Sequence, residues 1–189
     1  MLILFITMGQ YFKIVFLSEH GDIRIFIQPR TYESGVKLFE HCYIENPLVK
    51  AVEFLLSPEG MMYKSRIVWA GDYAEPESDE EADEEGCEPN LYWLAEREVN
   101  MFKNYTGKTP DIEYCRYIVN HSKRSYVDKG VANLSDPHTI NPLPMLTMEG
   151  EYPDEDYKDL YGIWARDVIS MERSVPEGYE QLTCEFKFD

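Results

Sequence analysis

A chain of 189 residues with 44% hydrophobic and 14% aromatic content can bury one substantial core, which excludes a disordered protein. Its formal charge of −17 is confined: residues 75–88 carry nine acids and no base, residues 149–159 carry six acids and one lysine, and the remaining 164 residues carry only −3. That layout excludes a rigid mimic of the DNA backbone, which needs carboxylates at phosphate-like spacing over the folded surface. No Lys/Arg-rich stripe supports direct nucleic-acid binding.

The opening MLILFIT is too short to span a membrane and has no cationic lead. It reads as an extension upstream of a natural start at Met8, or as the beginning of the first strand. Two β-rich runs, 11–17 and 23–28, flank His20-Gly21-Asp22 and predict a hairpin. Val36, Phe39 and Tyr43 are spaced for a helix over 34–45. Asn46-Pro47 then caps a second helix with Leu48, Val49, Val52, Leu55 and Leu56 on one face, ended by Pro58-Glu59-Gly60. A strand over 63–73 contains Trp69.

The acidic loop, 75–89, follows. Like charges with no apolar face predict that residues 76–88 lack stable packing, so their removal is expected to shift the melting temperature by less than about 5 °C. Asn90 caps a third helix with Leu91, Leu94, Ala95 and Phe102 on its buried stripe and Gly107 beyond its end. Residues 112–130 read as a second hairpin turning at His121–Arg124. Residues 131–148, with three prolines, read as an extended loop with one short strand near 145–148. After the second acidic segment comes a strand with Trp164. The terminal LTCEFKF alternates, with Leu182, Cys184, Phe186 and Phe188 facing inward.

The fold class expected is α+β: one domain over 8–189, a mostly antiparallel sheet with about three helices, and two loosely related halves. Each half opens on a hairpin, where Tyr11-Phe-Lys-Ile-Val runs like Cys115-Arg-Tyr-Ile-Val. Each continues to a Trp-Ala-x-Asp block, at 69–72 and 164–167.

The bland reading of these blocks places Trp69 and Trp164 in the core, with Asp72 and Asp167 closing turns. The sharper reading sets the two carboxylates across a pseudo-twofold cleft, where mutual repulsion splits them into an acid and a base. His121 would join them as general base, or would form an anion site with Lys123 and Arg124. Trp69, Asn120, Trp164 and Arg166 would line the cleft. No phosphate-binding glycine motif and no G-x-S-x-G is present. His20, His41, His121 and His138 lack metal-ligand spacing, so neither metal nor cofactor is expected. Cys42, Cys87, Cys115 and Cys184 show no CxxC pattern, which fits a reduced, cytoplasmic or otherwise intracellular protein.

MGQYFKIV at 8–15, GVKLFEH at 35–41, RIVWAGDY at 66–73, YIVNHSKRSYVD at 117–128, PLPMLTMEG at 142–150 and WARDVISME at 164–172 carry a resemblance. Together they resemble a scattered set of small proteins from bacteria, their viruses and some lower eukaryotes. The resemblance implies a start at Met8 and carries over no catalytic residue. It departs after Gly150, where similar proteins are glycine-rich and this chain reads EYPDEDY.

The leading expectation is a non-enzymatic protein-binding module. A basic partner would be engaged through the acidic loops, with Asp79, Glu80, Glu81, Asp83, Glu84 and Glu85 in contact. The alternatives are an enzyme on a small polar substrate using Asp72, His121 and Asp167, or a viral or mobile-element inhibitor. The inhibitor would block a host protein or sequester a small molecule. No membrane partner is expected, and the sequence does not set the oligomeric state.

Overall fold

The computed structural model describes residues 10–78, 89–110, 113–131, 139–151 and 159–183, apart from the side chains of residues 98, 99, 102 and 131. Its centre is β3 (Ser65–Gly71), which pairs antiparallel with β1 (Phe12–Leu17) on one side and β7 (Val168–Glu172) on the other. Outward from β1 lies β2 (Ile23–Ile27); outward from β7 lie β4 (Tyr117–Asn120) and β5 (Ser125–Asp128). Two short strands, β6 (Met148–Glu149) and β8 (Glu180–Gln181), add parallel to β3 and β5. The result is a single α+β domain on a mixed, mostly antiparallel sheet.

The order β2-β1-β3-β7-β4-β5 reads the same from either end: a hairpin, then a later strand laid against the first strand of that hairpin. Ile14 sits between Ile27 and Trp69; Ile118 sits between Val127 and Met171. The halves are therefore equivalent in topology, with Met171 at the place of Trp69. The repeated Trp block that suggested two halves is out of register. Trp69 lies in β3, whereas Trp164 lies in the turn before β7. The second block was expected on a strand, and this is corrected. Gly162, at φ 69°, starts that turn where a Cβ would meet the Met148 carbonyl oxygen at 2.5 Å.

One face of the sheet carries Phe12, Ile14, Phe16, Ile67, Trp69, Ile118 and Met171 against α2 (Pro47–Leu56) and α4 (Leu143–Leu146). The apolar stripe of α2 is buried as its spacing predicts, and Asn46 Oδ1 caps it by accepting from Leu48 N at 2.8 Å. The other face of the first half carries Val15, Leu17, Phe26, Val68 and Ala70 under Leu91 and Ala95. Lys13 is buried on this side, offset by Glu96 at 2.9 Å, the Tyr92 carbonyl at 3.0 Å and the Tyr92 ring.

Three expected elements come out shorter or different. The helix over 34–45 contracts to α1 (Leu38–His41), because its flanks bond elsewhere: Val36 O accepts from Phe12 N, and Cys42 O from Asn141 N. The long helix after Asn90 breaks into α3 (Leu91–Leu94) and a 3-10 turn at Glu98–Lys103, with Asn100 Nδ2 donating to Leu94 O at the break. The region near 145–148 is helical over α4, with the strand beginning only at Met148. In the final strand, Leu182 packs on the core as expected, whereas Cys184, Phe186 and Phe188 lie outside the described residues.

Trp69 and Trp164 are both buried. Replacing either with Ala should cost about 3–5 kcal/mol in chemical denaturation, the range for a buried aromatic. A second test concerns His41, which is fully buried. Its Nε2–H donates to Gly35 O at 2.9 Å, and Nδ1 accepts from Trp69 Nε1–H at 3.1 Å, so the partners dictate a neutral ring. Burial holds its pKa down at about 4. The unfolded chain gains a proton below about pH 6.5 while the folded chain does not, so stability falls as pH drops from 6.5 toward 4. From pH 7 to pH 5 the loss from this group should be about 2 kcal/mol. Denaturation of His41→Asn at the two pH values should lack that increment.

Candidate functional site

The two Trp blocks do meet at a cavity, although not through the residues expected to line it. A cavity of about 660 Å³ is lined by Tyr73, Ala74, Glu75 and Glu77 after the first block, and by Ala165 and Arg166 from the second. Met148, Glu149, Gly150 and Glu151 form another wall. Trp69, Trp164 and Asn120 are buried in the fold rather than exposed to the cavity. Of the four residues expected to line a cleft, Arg166 is the one found there.

Arg166 ties the site together. Its backbone is held by Arg166 N donating to Ile67 O at 2.9 Å, in a left-handed conformation at φ 62°. Its guanidinium donates to Glu149 through Nε at 2.5 Å and Nη2 at 2.8 Å, and to Glu77 through Nη1 at 2.9 Å. These carboxylates, Glu77 first, hold the guanidinium firmly charged. Glu77 and Glu149 lie at the feet of the two acidic segments, so one cation clamps both stems. Glu77 N also donates to Pro89 O at 3.0 Å, closing the neck of the first segment. The expectation that residues 76–88 lack stable packing therefore fails at Glu77. Residues 79–88, including Asp79, Glu80, Glu81, Asp83, Glu84 and Glu85, lie outside the described residues.

The three acid–base candidates are each engaged separately. Asp72 accepts from Tyr11 N at 3.0 Å, and burial pushes its carboxyl pKa up. Asp167 accepts from Asn120 Nδ2 at 2.8 Å and from Lys123 Nζ. Asp167 O receives Ile67 N, and Asp72 lies five residues further along β3, roughly 16 Å at strand spacing. Both aspartates tie down turns, as the bland reading holds.

His121 belongs to a chain of hydrogen bonds that sequence reasoning missed. Tyr179 Oη lies 3.0 Å from Nδ1, and Ser170 Oγ lies 2.7 Å from Nε2. Ser170 donates to Glu172 Oε1 at 2.7 Å, and Tyr63 donates to the same oxygen at 2.8 Å. Since the Ser170 proton goes to Glu172, Nε2 must carry the proton and Nδ1 must accept from Tyr179. Both ring nitrogens are thereby satisfied within the fold. Burial, then the Lys64 charge, lowers the His121 pKa, so the ring is neutral at pH 7. No local pattern announced this chain, because Ser170 lies on the face of β7 opposite the core residues Ile169 and Met171.

Among the described residues, no three His, Cys, Asp or Glu side chains gather as metal ligands, and no helix is long and apolar enough to cross a membrane. No protein-family model, curated protein or solved structure matches the chain.

The clamp makes its own prediction. Arg166→Gln leaves Glu77 and Glu149 facing each other, and should destabilise by about 1–2 kcal/mol, kept modest by partial exposure. Adding Glu149→Gln should recover part of that loss in urea denaturation, since the two sites are coupled.

Proposed function

We propose that this chain is a non-enzymatic binding module whose acidic edge docks a cationic protein partner. The observation that carries the reading is the Arg166 clamp: the stems of both acidic segments meet on one guanidinium beside one cavity. The described stems of the two runs, Glu77 and Glu149, thus stand side by side at one edge. Convergence at one cavity gives a partner a place to dock, whereas scattered acids would only aid solubility.

The test is a salt titration of binding to whatever protein cross-links to the wild-type chain in its native host. Affinity should fall as salt rises, mainly through slower association. Neutralising Asp79, Glu80, Glu81, Asp83, Glu84 and Glu85 together should flatten most of that dependence. Superimposed titrations for the two proteins would reduce the first acidic run to a solubilising linker.

A further inference from the structure

At the other end of β3 the chemistry reverses. Arg66 pairs with Val168, His121 N donates to Val168 O, Arg124 closes the β4–β5 turn opposite His121, and Arg124 lies against Tyr179. Lys64 closes the turn before β3, and its charge acts on the His121 ring. One row across the sheet therefore sets Arg66, His121 and Arg124 in line, with about 14 Å of strand spacing between the two arginines and Lys64 beside Arg66 in the chain. Of the pair the sequence placed with His121, Arg124 remains, but Lys123 is consumed by Asp167.

The chain has 35 acids against 18 bases, and among the described residues seven of those bases, Lys13, Lys50, Arg116, Lys123, Lys129, Arg166 and Arg173, hold carboxylates. Lys64, Arg66 and Arg124 make other contacts. Lys64 lies over the Tyr63 ring at 5.0 Å, Arg66 donates to Arg166 O at 2.9 Å, and Arg124 lies over the Tyr179 ring at 5.7 Å. Among the described residues none of the three has a carboxylate within ion-pair distance. The nearest acid of the row's network, Glu172, is occupied by the Ser170 and Tyr63 hydroxyls.

Lys64 and Arg124 also sit at φ 55° and 53°, a left-handed conformation that glycine adopts without steric cost. Long cations stand at both positions. The corresponding face of the first half is mostly apolar and covered by Leu91 and Ala95, and its buried Lys13 is held by Glu96.

We propose that Lys64, Arg66 and Arg124, arranged around His121, form a binding site for a small phosphate-bearing ligand. Three cations from three neighbouring segments match a dianion better than a single carboxylate, and the arginine forks suit phosphate oxygens. The ligand is small because the chain's net charge of −17 repels a polyanion.

The experiment follows backbone amide resonances of the whole chain while inorganic phosphate or pyrophosphate is added, with chloride at matched ionic strength as control. Resonances of Lys64, Arg66, His121 and Arg124 should move with phosphate, and pyrophosphate should bind about tenfold more tightly. The double variant Lys64→Gly/Arg124→Gly should weaken pyrophosphate binding at least about tenfold while its melting temperature stays the same or rises. Shifts no larger than those with chloride, or full affinity in the folded double variant, would overturn the site. A phosphoserine peptide that binds more tightly than pyrophosphate would overturn the small-ligand assignment.

Discussion

The fold depends on how β3 is held at Trp69. In the sheet that residue pairs with Ile14 of β1 and Met148 of β6, and its backbone N–H donates to Thr147 O at 2.9 Å. Its indole N–H reaches a buried imidazole on α1. One side chain thus joins both sheet neighbours and a helix, and its burial fixes which face of β3 is core. A one-residue slip of β3 would move Trp69 to the face under Leu91 and Ala95 and put Val68 and Ala70 on the face that meets α2.

From that strand follows a chemical polarity. Beyond the C-terminal end of β3, Tyr73 to Glu77 open a cavity where carboxylates outnumber Arg166. At its N-terminal end, Lys64 and Arg66 stand without carboxylate partners among the described residues. A formal charge of −17 hides this arrangement, because it averages an acidic edge with a locally cationic end. On the proposed reading the acidic edge meets a cationic protein, and the small-ligand site is joined to that edge through Arg66, which donates to Arg166 O at 2.9 Å.

Much of the fold was legible because its signals are local. The β-rich runs 11–17 and 23–28 around His20-Gly21-Asp22 marked the first hairpin, and Asn46-Pro47 with its apolar stripe marked α2. Elements whose backbone bonds go to distant partners were misread. Residues 34–45 keep helical spacing, yet Val36 and Cys42 bond to Phe12 and Asn141. The two halves were inferred from a repeated Trp block, whereas the equivalence lies in pairing: Met171, not Trp164, occupies the place of Trp69. The site was partly legible, through Arg166, His121 and Arg124. The convergence of Glu77 and Glu149, separated by 72 positions, and the diversion of Lys123 to Asp167 are tertiary facts with no local spacing to announce them.

The central claim, that both acidic segments act from one edge, is tested most directly by amide hydrogen exchange of the chain with and without its captured protein partner. The account predicts slowed exchange in peptides covering 73–78, 148–151 and 161–166, the walls of the cavity that Arg166 spans. Protection confined to α2 or to the β5–β8 edge, with those three stretches unchanged, would contradict it.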